Sequence, residues 1–170
     1  MFRVFGLVVF TCLVFGSNPT AAAEAAEDAS RAATRAEPRI MFVAIHVADL
    51  ARSLEFYTGI LGMQEYQRYP APDRMEVALT YAANVPDAQP TDSGSMLLLV
   101  QLKDHEAAYR HGDALSRIAI GVTNVRATVA AAASAGHKIV RQPTTIEEGG
   151  LTIGFIEDPD GFVLELIEVK

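Results

Sequence analysis

Apolar and polar positions fall into three regimes along the chain. The first is one apolar run, Val4 to Phe15, interrupted by Gly6 and Thr11. It follows Met1-Phe2-Arg3 and leads into Gly16-Ser17-Asn18-Pro19-Thr20 and then Ala21-Ala22-Ala23. A basic start, a short apolar stretch and a small-residue end are the parts of a secretory signal peptide. Spanning a bilayer takes ~20 apolar residues, more than this run supplies. Residues 1–23 are therefore predicted to be cleaved on export, leaving a periplasmic or secreted protein with no stable membrane anchor. The second regime, Glu24 to Pro38, is rich in Ala, Glu and Arg and has no large apolar side chain. With nothing to bury, residues 24–38 are predicted to be a flexible spacer.

From Arg39 onward the apolar residues come in short segments of alternating period. Ile40 to Val47 is rich in β-formers and reads as a strand. Asp49 is placed to cap a helix in which Leu50, Leu54, Tyr57 and Leu61 recur at helical spacing, with Gly59 and Gly62 ending it. Three strands are predicted next, at Met63 to Tyr69, Met75 to Tyr81 and Met96 to Lys103. The last two are separated by a loop, Ala82 to Gly94, that carries Pro86, Pro90, Asp92 and Gly94. The order then starts again. Ala119-Ile120-Gly121-Val122 matches Ala44-Ile45-His46-Val47, and Asn124 stands where Asp49 stood. Val125, Val129 and Ala132 form a helical stripe closed by Gly136. Strands follow at Lys138 to Arg141, Leu151 to Glu157 and Phe162 to Val169, the last two joined by the turn Asp158-Pro159-Asp160-Gly161.

The prediction is an α+β fold made of two βαβββ modules in tandem within residues 39–170. Module one spans about residues 39–104 and module two about 115–170. A single such sheet leaves one face bare, so two must pack or curl together. Period-2 alternation predicts Val43, Ile45 and Val47 under the first helix and Phe42, Ala44 and His46 on the opposite face. In module two Ile118, Ile120 and Val122 take the covered row, leaving Arg117, Ala119 and Gly121 opposite.

Charge and cysteine content narrow the chemistry. Losing Arg3 with the leader leaves thirteen basic residues against 21 acidic ones, a net charge of −8. That balance argues against a nucleic-acid partner, which needs clustered Lys and Arg. The one cysteine, Cys12, lies inside the predicted leader. The mature chain is thus expected to have no disulfide and no cysteine nucleophile or ligand.

Two stretches carry a family resemblance. Val47-Ala48-Asp49-Leu50-Ala51-Arg52-Ser53-Leu54-Glu55-Phe56-Tyr57 with Leu61-Gly62-Met63 resembles the opening of the vicinal oxygen chelate superfamily, which holds glyoxalases, bleomycin-resistance proteins and extradiol dioxygenases. Glu157-Asp158-Pro159-Asp160-Gly161-Phe162 with Leu164-Glu165-Leu166-Ile167 resembles its C-terminal signature. The resemblance implies that the modules form a half-open barrel whose cup holds the site. In metal-dependent members such as glyoxalase I (lactoylglutathione lyase), a divalent metal is held there by His and Glu. It implies ligand positions at Phe42, Gln101, Arg117 and Glu165, of which only Glu165 is a metal-ligand residue type.

The expected metal site is therefore lost and no cofactor is expected; a rearranged nickel or zinc site is the alternative. An Arg117–Glu165 ion pair is predicted in the metal's place, because a buried lone carboxylate is costly. Phe42, His46, Gln101, Arg117 and Glu165 form the expected ligand-binding set, with Glu165 and His46 as catalytic candidates. His105-Glu106-Ala107-Ala108-Tyr109 resembles the start of a zinc-protease helix, but Tyr109 replaces the second His, so it reads as linker. His111 and His137 are expected to be exposed, and Glu147-Glu148-Gly149-Gly150 is expected to be a hairpin-type loop. The leading function is binding of a small organic molecule in the cup. A lyase of the lactoylglutathione lyase type is the second reading and a non-catalytic dimerisation module the third. A homodimer is the expected assembly.

Overall fold

The structure is a computed structural model and describes residues 40–81, 96–105 and 108–169. The predicted leader and spacer, the loop from 82 to 94, and Glu106 and Ala107 lie outside the described residues. Among those described, module one runs β1 (Phe42–His46), α1 (Leu50–Gly59), β2 (Gln64–Pro70), β3 (Arg74–Thr80) and β4 (Met96–Leu102). Module two repeats it as β5 (Ile118–Gly121), α2 (Val125–Ser134), β6 (Ile139–Ile146), β7 (Leu151–Glu157) and β8 (Val163–Val169). A short 3-10 turn, Glu147–Gly149, joins β6 to β7.

Both helices start where the caps were predicted. The Asp49 carboxylate accepts from the Arg52 N–H at 3.1 Å, and Asn124 Oδ1 accepts from the Ala127 N–H at 2.9 Å. Each cap satisfies one of the donors that a helix start leaves without an internal partner. Gly136, with φ of 84°, closes the second helix in a left-handed conformation.

Each module forms a four-stranded mixed sheet, ordered β1-β4-β3-β2 and β5-β8-β7-β6. The first and last strands of each module pair in parallel, the others antiparallel. The predicted faces are observed: Ile45, Val47 and Ile120 are buried, whereas Phe42, Ala44, His46, Ala119 and Gly121 are exposed. The buried side chains of both modules form one hydrophobic cluster, with Tyr57, Phe56, Leu99, Ile156 and Leu166 among its largest members.

The tandem βαβββ modules are as predicted, and among the described residues no strand of one sheet is hydrogen-bonded to a strand of the other, so the barrel is left open. One expectation is corrected. The strand expected at Lys138 to Arg141 continues to Ile146 through Pro143. β6 is an edge strand, where proline costs no ladder bond, and its register slips around Arg141 absorb the irregularity.

The modules are fastened by the turn between β7 and β8. Asp160 accepts from the Ala48 N–H and Arg52 Nη2 at 3.0 Å each, and from Ser53 Oγ at 3.1 Å. Asp158 is buried and accepts from the Tyr57 hydroxyl at 2.8 Å and from the N–H groups of Phe162 and Asp160. Burial pushes the Asp158 carboxyl above its ordinary range against the opposing pull of these bonds. Burial, with Asp158 beside it, pushes the Tyr57 hydroxyl upward too, so it stays a donor.

Candidate functional site

The face of each sheet turned away from its helix is where site chemistry can reach solvent. In module two, register places Arg141, Phe155, Glu165 and Ala119 opposite one another across all four strands. The helix-facing row beside it is Gly154, Leu166 and Ile120. Gly154 is required there: an added Cβ would stand 3.0 Å from Val125 and 3.2 Å from Val129.

Arg117, immediately before β5, donates from Nε to Glu165 Oε2 at 2.5 Å. This is the pair expected from the two residue types. Arg117 is half exposed while Glu165 is largely covered, so the guanidinium keeps donors directed away from the pair. Ser116 Oγ takes one of them, from Nη1 at 3.3 Å. On the far side of the row, Arg141 Cζ lies 5.7 Å from the centre of the Phe155 ring. A cation over a ring face is attracted by the ring quadrupole. Among the described residues Arg141 has no carboxylate partner.

Lys138 and Glu157 form a further pair at 2.6 Å. Arg117, Arg141 and Lys138 against Glu165 and Glu157 leave this patch one positive charge in excess, within a chain of net charge −7. An uncompensated guanidinium over a ring, on the same sheet face as a second one with spare donors, is an arrangement suited to an organic anion with an apolar body.

In module one, Phe42 and His46 lie on the open face of β1, as expected. Gln101 does not. It shares the parity of Leu97 and Leu99, which are buried beneath α1, and its amide donates to the Ala48 carbonyl at 3.1 Å. The open-face residues of β4 are Met96, Leu98 and Val100, paired with Phe42, Ala44 and His46. A single residue of offset across the loop before this strand reverses the face, because side chains alternate. Gln101 is thus removed from the expected ligand-binding set, and an aliphatic side chain stands in its place.

Four further residues were placed by tertiary structure. Tyr109 stacks on His46, with ring centres 5.2 Å apart, and on His105 at 4.1 Å. The described ends of the His105–Tyr109 segment are not helical. His111 is not fully exposed: its Nε2 lies 2.7 Å from the Asp160 carbonyl oxygen, so that nitrogen carries the proton, and its ring meets the Phe162 face edge-on. His137 likewise packs edge-to-face with Phe56 at 4.6 Å. Arg141 and Phe155 were missed because nothing marks them locally. The alternation of Leu151–Glu157 does put Phe155 opposite the helix-facing Gly154, but only register brings Arg141 to it.

The donors available for a divalent metal at the implied positions do not fit one. Phe42 has no donor, Leu98 and its β4 neighbours have none, and Arg117 is a fixed cation that already occupies Glu165. Divalent sites need several ligands of matching charge.

The sequence profile of the Glyoxalase/Bleomycin resistance protein/Dioxygenase superfamily matches residues 39–166. A lactoylglutathione lyase of Haemophilus influenzae is 31% identical over 134 residues, covering 78% of this chain and 93% of the relative. A probable lactoylglutathione lyase of Vibrio parahaemolyticus is 33% identical over 132 residues, covering 78% and 91%. Among solved structures, the trypanothione-dependent glyoxalase I of Leishmania major superposes with a TM-score of 0.63 at 30% identity, covering 78% of this chain and 87% of that one. Glyoxalase I of Zea mays superposes with a TM-score of 0.65 at 26% identity, covering 76% and 44%.

Proposed function

Because the chain belongs to the Glyoxalase/Bleomycin resistance protein/Dioxygenase superfamily, we propose that it uses the open sheet faces of that fold to bind a small organic molecule without a metal. The observation that carries this reading is the 2.5 Å contact between Arg117 and Glu165. The permanent charge of the protein's own guanidinium stands beside the carboxylate that a metal would need. Binding then rests on the second guanidinium, Arg141, and the Phe155 ring beneath it. The ligand class that fits is an organic anion: a carboxylate, sulfonate or phosphate on an apolar body. Arg141 and the free edge of Arg117 take the charge, while Phe155, Ile153 and Ile167 of the same face take the body. His46, fixed by its stack on Tyr109, is the group placed to exchange a proton on the open face of module one.

In this reading two copies associate, since each chain leaves both faces exposed, and the work is done after export, on the strength of the basic-apolar-small pattern of residues 1–23. The matching lyases favour a second reading, an enzyme of the lactoylglutathione lyase type. The test is elemental analysis of the purified protein together with turnover of the methylglyoxal–glutathione hemithioacetal. Sub-stoichiometric metal with no turnover is expected. One tightly held nickel or zinc per chain, with turnover lost on chelation, would replace the first reading with the second.

A further inference from the structure

We infer that the protein has a second binding site, for hydrogen phosphate, in the cavity between the inter-module linker and the β7–β8 turn. The linker contributes His111 and Ser116 to its lining, the turn contributes Gly161 and Phe162, and Arg117 stands where the linker enters β5. The cavity lies at the strand ends: Arg117 and Val163 come just before Ile118 and Leu164, the first residues that pair β5 with β8. Its volume is about 280 Å³. Liquid water takes about 30 Å³ per molecule, so the space admits a tetrahedral oxyanion with part of its hydration. The inference does not depend on the organic anion proposed above, whose place is set by Arg141 and Phe155.

The donors and acceptors of this lining select the ion. Arg117 is its one permanently charged residue. Glu165 takes Nε, and Nη1 leans to Ser116 Oγ at 3.3 Å, so the outer end of the guanidinium is turned to the linker with donors to spare. Ser116 Oγ accepts that bond, which leaves its own proton free to donate. No carboxylate lines the cavity, because the Asp160 side chain is held by Ala48, Arg52 and Ser53 of module one. The Asp160 backbone carbonyl instead receives His111 Nε2 at 2.7 Å. With the proton on Nε2, the neutral ring keeps a lone pair on Nδ1, and this nitrogen has no hydrogen-bond partner among the described residues. Gly161, at φ of 94°, makes room for the ring, since an added Cβ would stand 3.4 Å from Nε2. Two kinds of donor and one acceptor match an oxyanion that is charged and still carries a proton. Hydrogen phosphate is such an ion near neutral pH; sulfate has the same shape and charge but no proton to give. The forked guanidinium suits either tetrahedral ion, so the imidazole decides between them.

The experiment is calorimetric titration of the full protein with sodium phosphate near neutral pH, with sodium sulfate as the second probe at matched ionic strength. Phosphate is expected to bind once per chain with a Kd below about 1 mM, and sulfate at least fivefold more weakly. Arg117→Ala is expected to weaken phosphate binding at least tenfold and Ser116→Ala about threefold. Arg141→Ala, at the far edge of the sheet, is expected to leave it unchanged. His111→Phe keeps a ring in place and is expected to bring the two probes to equal affinity. Circular dichroism with thermal melting checks that each variant folds; if His111→Phe does not, the contrast of Ser116→Ala with Arg141→Ala still decides. No saturable phosphate binding by the wild type overturns the site, and so does sulfate binding as tight as phosphate. A loss in Arg141→Ala equal to that in Arg117→Ala also overturns it, because the ion then sits on the sheet face.

Discussion

Replacing Asp160 by alanine isolates one of the polar contacts that join the two modules. The Asp160 side chain is only 5% exposed and accepts three hydrogen bonds, all from module one. The Ala48 N–H loses its partner outright, and a backbone donor bonded to a carboxylate is worth about 1.5–3 kcal/mol. Ser53 retains the Asp49 carbonyl as an acceptor at 3.0 Å, so its share is about 0.5 kcal/mol. Arg52 is half exposed, and its pair adds about 0.5 kcal/mol. The sum is about 3 kcal/mol, or a fall of about 10 °C in Tm for a domain of this size. Asp160→Asn keeps the shape and one acceptor oxygen and is expected to cost about 1 kcal/mol. Differential scanning calorimetry reads both, and the alanine variant is also expected to broaden the transition as the modules uncouple. A fall of less than about 2 °C in the alanine variant, or equal effects of Ala and Asn, would refute the latch.

Four other outcomes follow from the same geometry. Arg117→Ala leaves Glu165 without its cation and is expected to weaken binding of an organic anion at least tenfold in calorimetric titration, whereas Arg117→Lys recovers only part of it because the forked geometry is lost. Gly154→Ala drives a Cβ to 3.0 Å from Val125 and is expected to cost about 1–3 kcal/mol in urea denaturation. Asp158 has a folded-state pKa raised by burial, so its charge is a penalty at neutral pH that is relieved as pH falls through that raised value. The stability of wild type relative to Asp158→Asn is therefore expected to rise with acidification and level off below the ordinary carboxylate range, as urea midpoints across a pH series would report. Burial pushes the Tyr81 hydroxyl up to about 12 and Tyr57 further still. Alkaline titration at 295 nm is expected to leave both un-ionised at pH 11 in the folded protein.

Much of the fold was legible in one dimension, because its determinants are local. Cap residues sit one position before their helices, and the apolar alternation of β1 and β5 names the buried face without any knowledge of partners. The duplication of order from Ala44 to Ala119 set the module count. The Arg117–Glu165 pair was also within reach, since it follows from an aligned repeat and the cost of a lone carboxylate. Tertiary structure decided the rest. Met96-Leu97-Leu98-Leu99-Val100 is apolar at every position, so it carries no alternation from which to choose a face, and Gln101 fell on the side opposite to the one expected. Arg141 reached Phe155 through strand register, and Asp160 reached Ala48 across 112 residues. Local chemistry writes helices and strand faces into the sequence, but the meeting of distant side chains depends on how sheets register and dock, which no short stretch encodes.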